Sequence, residues 1–171
     1  MIRCLMLLLV AAPLGMAARA DGWQALHSLI GEWTGVGSGT PGQGSGGFSF
    51  KEDLQGKVLV RKNRAEYPAT KDRPAFVHDD LMIVYHESAD APAHAIYFDS
   101  EGHVIHYGIH ASEDGAEIVF ESAAEAAAPR YRLTYTRACA DQLKIRFEIA
   151  PPGHASEYKT YIEAAARRSA P

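Results

Sequence analysis

Tyrosines on predicted strands, together with one arginine, are the residues of this chain best suited to bind a small molecule. Each of these tyrosines falls in or near the middle of an apolar, strand-forming segment. A tyrosine combines an apolar ring with a hydroxyl that can orient the polar end of a ligand, although the same side chains could instead fill a packed core or cover the outside. The predicted ligand-lining residues are Arg61, Tyr85, Tyr97, Tyr107 and Tyr135, with His103 and Phe147.

The segment 57–67 carries polar residues on both of the faces that strand alternation creates. Lys62 and Arg64 share one face, and Arg61 and Asn63 share the other. One of the two sets is therefore expected to face the interior, where polar groups cost several kcal/mol unless they are paired or meet water or the polar end of a ligand. The alternative is a bulge that twists the strand and leaves all of these charges in solvent.

The histidines do not show the spacing of a metal site. His106 and His110 share a strand face but lie about 13 Å apart along a strand, too far to bind one ion. Strand alternation would place Asp99, Glu101 and His103 on one face, but a predicted turn at residues 101–102 breaks the strand. The sequence therefore predicts no metal site.

No motif identifies a reaction. Ser38 and Ser45 each lack one glycine of the G-x-S-x-G nucleophile motif. The glycine-rich segment 37–47 contains G-x-G-x-x-G strings, but the residues after it predict a strand and not the helix that phosphate binding needs. We expect a binding protein; a small isomerase or hydrolase is an alternative, and its candidate residues are Arg61, Glu66, Asp99 and His103.

Residues 1–20 have the pattern of a secretory leader. A basic residue precedes an apolar run over 4–14, and Ala18 and Ala20 form an A-x-A cleavage pattern. The run is too short to cross a bilayer, which needs about 20 residues. We predict cleavage before Asp21, a periplasmic or secreted protein, and no integral membrane segment in the remaining chain.

Residues 21–171 are expected to form one domain. The chain has 17 basic and 21 acidic residues and a net charge of −4, which becomes more negative once the leader is removed. Such a charge argues against nucleic acid as a partner, since phosphate binding needs a basic surface. Cleavage would leave Cys139 without a second cysteine, so no disulfide within the chain is expected. The sequence leaves the oligomeric state open.

Strand signals dominate the chain after a short helical segment. Trp23, Leu26 and Leu29 recur at helical spacing, and the later segments alternate apolar with polar residues between turn-forming residues. These features predict an all-β fold: one antiparallel up-and-down barrel of about 8–10 strands, with the N-terminal helix closing one end. The predicted strands are 32–38, 46–54, 57–67, 77–86, 94–99, 103–111, 116–122, 130–137, 142–149 and 156–164.

The motif Gly31-Glu32-Trp33, placed directly after the helical segment, resembles the opening of the lipocalin-like, or calycin, barrels. Residues 97–105 resemble a bacterial family of exported lipocalin-like domains that has no characterised function. This resemblance covers most of residues 21–171. It implies that Gly31, Trp33 and a C-terminal arginine form the barrel floor, with a cation–π contact between arginine and tryptophan. We take Arg167 as this arginine, with Arg168 as the alternative.

A second, more distant resemblance is to the nitrobindin-like haem-binding barrels. The G-x-W-x-G-x-G spacing of residues 31–37 is similar to their opening. That resemblance implies a haem or nitric-oxide barrel in which a histidine late in the chain, here His154, holds the iron. The first prediction is nevertheless a non-enzymatic barrel without a cofactor that binds a small, largely apolar or amphipathic molecule in its interior; the haem barrel is the alternative.

Overall fold

The computed structural model of the protein describes residues 22–40, 44–88 and 91–170. The predicted leader and its cleavage site lie outside these residues. No helix in the described segments is long and apolar enough to cross a membrane.

The described residues form an all-β barrel, as predicted. Its strands are all antiparallel to their neighbours, and the barrel is closed by pairing of the first strand with the last. The strands are β1 (Gly31–Thr40), β2 (Ser45–Asp53), β3 (Val58–Tyr67), β4 (Phe76–His86), β5 (Ala93–Asp99), β6 (Val104–Ala111), β7 (Glu117–Ser122), β8 (Arg130–Cys139), β9 (Gln142–Ala150) and β10 (Lys159–Arg168).

A short helix lies at one end of the barrel, as predicted. Helix α1 (Gly22–Leu26) continues into a single 3₁₀ turn (His27–Leu29) just before β1. Leu26 and Leu29 are fully buried and belong to the same core as the inward-facing barrel residues. The ring of Trp23 lies 4.2 Å from that of His86, the last residue of β4, so the helix covers the end of the barrel at which β4 finishes.

The structure shows which polar face of strand β3 points into the barrel. Its pairing with β2 and with β4 runs without a register shift, so there is no bulge along it. Arg61 is buried and Asn63 is half-buried, whereas Lys62 and Arg64 on the opposite face are exposed. The inward polar set is therefore Arg61 and Asn63.

The last strand differs from its predicted position. We expected residues 156–164, and the strand spans Lys159–Arg168. Residues 151–157 form turns held by backbone hydrogen bonds from His154 to Pro151 and from Glu157 to His154. The three consecutive alanines at 164–166 have weak strand propensity in sequence. In the structure they are part of β10, and Ala166 is the register partner of Gly35 where the barrel closes.

Candidate functional site

The floor of the barrel is built around Trp33. Its side chain is buried, its indole Nε1 donates a hydrogen bond of 2.8 Å to the carbonyl of Leu29, and its ring stacks on Phe48 with 6.1 Å between centroids. The bond to Leu29 ties the first strand to the 3₁₀ turn that precedes it. Trp33 thus fastens the helix to the barrel.

Arg168 completes this floor. Its Cζ lies 4.2 Å from the Trp33 ring centroid, and its guanidinium donates hydrogen bonds to the carbonyls of Ile30 and Ser28. The first strand must approach it closely: Gly31 has φ +132°, and a Cβ there would lie 2.5 Å from Nη1 of Arg168. Gly31 therefore has a structural reason to be glycine.

The predicted partner of Trp33, Arg167, is the neighbouring residue and does not make this contact. Trp33 is in register with Arg168, whereas Arg167 is in register with Thr34 on the outer face and is exposed. Strand alternation decides between the two arginines, because successive side chains point to opposite faces. The arginine of the floor is Arg168.

A buried ion pair lies inside the barrel between β3 and β4. Nη1 of Arg61 contacts Oδ1 of Asp80, and Nδ2 of Asn63 donates a 2.9 Å hydrogen bond to Oδ2 of the same carboxylate. The side chains of Arg61 and Asp80 are 9% and 4% exposed. Burial alone would raise the pKa of Asp80, but Arg61, His78 and Asn63 hold that pKa below its ordinary value.

Tyr135 lies beside Arg61 in the interior. Both contact the ring of Phe48, with the Arg61 Cζ 5.3 Å and the Tyr135 centroid 5.7 Å from its centre. Burial opposes the charge of Arg61, but Tyr135 and Asp80 raise the pKa of its guanidinium, so it is charged. Burial raises the pKa of the Tyr135 phenol, so it is neutral.

Nε of Arg61 and the hydroxyl of Tyr135 have no hydrogen bond of normal geometry within the described part of the chain. The two side chains nevertheless lie close enough to interact with each other. Both side chains are almost fully buried. Buried polar atoms in folded proteins nearly always have a partner, because an unmade hydrogen bond costs about 1–3 kcal/mol. Nε of Arg61 and the hydroxyl of Tyr135 are therefore the candidate atoms of this interior for a contact with a bound polar group.

A second polar group lies at the end opposite the helix, near the start of β4 and the end of β5. We refer to it as the rim cluster. Its imidazole, carboxylate and phenol groups are joined by hydrogen bonds of 2.9–3.4 Å. Its members are His78, Tyr97, Asp99, Glu101 and His103.

His78 is the central member of the rim cluster. Its Nδ1 faces Oε1 of Glu101 at 3.1 Å, and its Nε2 faces the Tyr97 hydroxyl at 3.2 Å and Oδ2 of Asp80 at 3.4 Å. The hydrogen bond with Asp80, opposed by partial burial and assisted by Glu101, raises the pKa of His78 to about 9. Asp80 thus connects the interior ion pair to the rim cluster.

The predicted ligand-lining residues are divided between the interior and other places. Arg61, Tyr107 and Tyr135 are buried in the interior, and Tyr97 joins that interior to the rim. Phe147 is half-buried against the core and stacks on Tyr131 with 6.0 Å between centroids.

Two of the predicted lining residues lie elsewhere. Tyr85 pairs in register with Val58 and faces outward, where its ring is 6.1 Å from that of His94. His103 is exposed in the turn after β5, and its Nδ1 is 2.9 Å from Asp99.

The sequence did not identify three side chains of the site. These are Asp80, which is the interior carboxylate, and its partners Asn63 and His78. Asp79 and Asp80 are adjacent on β4, so their side chains face opposite ways: Asp79 is exposed and pairs with Arg64 at 3.1 Å, whereas Asp80 is buried. Which of the two faced inward depended on the register between β3 and β4, and no pattern within β4 supplies that register.

The residues proposed for an isomerase or hydrolase do not converge. Glu66 is exposed on the outer face, where it pairs with Arg64 at 2.9 Å. Asp99 and His103 are in contact at the rim, but Arg61 connects to them only through Asp80, His78 and Tyr97. The set therefore does not form one catalytic centre.

The haem ligand proposed from the second resemblance does not fit its role. His154 is exposed in the turn between β9 and β10, and its Nδ1 is 2.8 Å from Oε1 of Glu157. An iron ligand must direct a free ring nitrogen into the barrel, and this imidazole is instead paired in a surface turn. The residues present do not support haem binding through His154.

A groove of about 940 Å³ that is open to solvent lies along β1–β5. Its lining includes outward-facing residues such as Arg64 and Asp79 and also Asn63, Asp80 and Asp99. Charges within it neutralise each other, as Arg64 and Asp79 show. Of the buried polar atoms without a hydrogen bond of normal geometry in the described residues, Nε2 of His27 lies in the turn before β1, and Nε of Arg61 and the hydroxyl of Tyr135 lie inside the barrel. The interior is therefore the better candidate site.

No protein-family model matches the chain, and no curated protein matches it. The closed antiparallel barrel is consistent with a lipocalin-like fold without showing membership of a particular family. The chemistry of the interior therefore has to be inferred from its own side chains.

Replacing Arg168 by methionine is expected to lower the free energy of unfolding by about 2 kcal/mol, because the cation–π contact and the two carbonyl hydrogen bonds are lost. Urea unfolding followed by tryptophan fluorescence measures the change. Arg167→Met is the matched control and should change stability by less than about 0.5 kcal/mol. Equal losses in the two variants would contradict the assignment of Arg168 to the floor.

Replacing Arg61 alone by methionine is expected to cost about 3–5 kcal/mol, because the carboxylate of Asp80 is left buried without its cation. The double variant Arg61→Met/Asp80→Leu should recover most of that loss, since both buried charges are then removed. Arg64→Met, which breaks a surface pair, should cost about 0–1 kcal/mol. Urea unfolding measures the stability of each variant. A double variant no more stable than Arg61→Met would show that the unpaired carboxylate of Asp80 does not cause the loss of stability.

Proposed function

We propose that this protein is a non-enzymatic barrel that binds one small, largely apolar molecule in its interior, with an uncharged oxygen of that molecule placed on Arg61 and Tyr135. The observation that carries the proposal is the pair of buried polar atoms without a normal hydrogen bond, Nε of Arg61 and the hydroxyl of Tyr135. A ligand oxygen between these two neighbours would satisfy both atoms.

The chemistry of the two atoms specifies the ligand atom. Nε of Arg61 can only donate, and the Tyr135 hydroxyl can donate or accept. A carbonyl or hydroxyl oxygen accepts from both. The positive charge of Arg61 is already paired with Asp80, so a carboxylate would bring a second negative charge close to the first. The polar end of the ligand is therefore neutral.

The surroundings of Tyr135 specify the rest of the ligand. Phe50 and Phe120 lie with ring centroids 5.8 and 5.9 Å from that of Tyr135, and Phe48 contacts both polar residues. An apolar body gains free energy from contact with such rings, at about 25 cal/mol per Å² of surface buried. The helix and Trp33 occupy one end, so the ligand would enter past the rim cluster.

The resemblance to lipocalin-like barrels supports the same proposal. Such barrels hold small molecules inside, and this chain resembles them in its closed antiparallel barrel, its helix at one end and its contact between Trp33 and Arg168. The leader-like pattern of residues 1–20 supports export, and we infer that the barrel works in the periplasm or outside the cell.

Binding is tested with three ten-carbon probes, 2-decanone, 1-decanol and decanoate, titrated by calorimetry against the full chain. The two neutral probes should bind at least about tenfold more tightly than decanoate, because the interior carboxylate of Asp80 repels an anion. Tyr135→Phe should weaken neutral-probe binding by about 2- to 13-fold, the range that corresponds to one hydrogen bond.

Tyr85→Phe is the matched control for that experiment, because Tyr85 faces outward, and it should leave the affinity unchanged. Native mass spectrometry of protein purified gently from its host gives an independent measurement. Absence of any bound mass together with no binding of the three probes would contradict the proposal, as would equal affinities in the two tyrosine variants.

Export predicts a mature protein that begins at Asp21. Intact-mass measurement of the protein isolated from its host's periplasm and medium should give the mass of residues 21–171. Ala20→Leu, which places a large residue at the cleavage site, should leave the leader attached. A full-length mass in the cytoplasmic fraction of cells that express the natural sequence would contradict export.

A further inference from the structure

We propose that the rim cluster binds a divalent transition-metal ion of the zinc type through His78, Asp99 and Glu101. The sequence pattern predicted no metal site, and the barrel brings these three residues together from two strands and a turn. One ligand atom of each lies within 4.8 Å of the other two. The proposal concerns the rim and does not rest on the interior ligand proposed above.

The distances are close to those of a metal site. Atoms bound to one tetrahedral zinc ion lie about 3.3–3.5 Å apart, given zinc–ligand bonds of about 2.0–2.2 Å. Nδ1 of His78 and Oε1 of Glu101 are already 3.1 Å apart. The three donors therefore need to approach one another by about 1.4 Å at most. The Glu101 side chain is 54% exposed, so it can move without disturbing the core.

A carboxylate lies behind His78 in the position of a group that orients a metal-binding histidine. A histidine that binds a metal through one nitrogen usually donates from the other to a carboxylate. If Nδ1 of His78 takes the ion beside Glu101, then Nε2 faces Oδ2 of Asp80 at 3.4 Å. Asp80 is itself fixed by Arg61 and Asn63. The supporting carboxylate is thus buried and held by two further side chains.

Asp99 is oriented in the same way. Its Oδ1 accepts backbone hydrogen bonds of 2.9 Å from Glu101 and from His103, which fix the carboxylate within the turn. The Asp99 side chain is only 5% exposed. Its Oδ2 accepts from His103 at 2.9 Å and from the Tyr97 hydroxyl at 3.4 Å. His103 is therefore placed to support Asp99.

The donor types select the metal. An imidazole nitrogen favours zinc, copper, iron or nickel, whereas magnesium and calcium prefer sites made of oxygen alone. Three protein ligands leave a fourth position of a tetrahedral ion open to water or to another donor. Because the cluster lies at the end of the barrel opposite the helix, that position would face the route to the interior.

The test is a calorimetric titration of the full chain with Zn²⁺ and, separately, Mg²⁺, with Cys139→Ser in every protein to remove the exposed thiol. One Zn²⁺ should bind per chain, at least about tenfold more tightly than Mg²⁺. His78→Gln and Glu101→Gln should each weaken Zn²⁺ binding by at least about tenfold. His106→Gln, which alters an exposed histidine outside the cluster, should bind as tightly as the parent.

Glu101→Gln is the decisive variant, because Glu101 lies in an exposed turn and its amide keeps the size of the side chain. Circular dichroism confirms that each variant is folded. Absence of saturable binding at one Zn²⁺ per chain would overturn the proposal, and so would a Glu101→Gln variant with the affinity of His106→Gln. Tyr135→Phe should keep full Zn²⁺ affinity. This variant therefore tests the interior-ligand proposal without affecting the test of the metal site.

Discussion

The charge of Arg61 inside a closed barrel is the constraint on which the polar interior depends. Pairing of β1 with β10 closes the sheet, and strand alternation then places Arg61 where water cannot neutralise it. A buried charge needs a partner and further hydrogen bonds to be tolerated. Asp80 supplies the charge, and Asn63 and His78 supply hydrogen bonds to Asp80. Asp80, Asn63 and His78 together therefore compensate for the buried charge of Arg61.

Much of the fold could be predicted from the sequence, because its signals are local. Alternation along β9, with Leu143 buried and Lys144 exposed, identifies a strand and its inward face from a few residues. The helical spacing of Leu26 and Leu29 similarly identifies the segment that lies against the barrel end. For β3, the sequence showed two polar faces, and the structure needed only to choose between them.

The candidate site could be predicted only in part, because its contacts join different strands. Arg61 and Tyr135 were identified as lining residues from their own strands, but Asp80 entered through the register between β3 and β4. The error at Arg167 has the same origin: two adjacent arginines have opposite faces, and only the pairing of Trp33 with Arg168 selects one. His78 lies beside Glu101 in space across 23 positions of sequence, a separation that no strand pattern spans.

The two ends of the barrel differ in the kind of interaction that holds them. At the helix end, Trp33 is enclosed by stacking, by a hydrogen bond to Leu29 and by the guanidinium of Arg168. At the other end, polar contacts dominate, and they reach the interior through Asp80, which accepts from Arg61, Asn63 and His78. A carboxylate shared in this way cannot shift toward one partner without weakening its contact with another. Asp80 therefore connects the interior to the rim, and Tyr97 makes a second connection between them through its contacts with Tyr107 and His78.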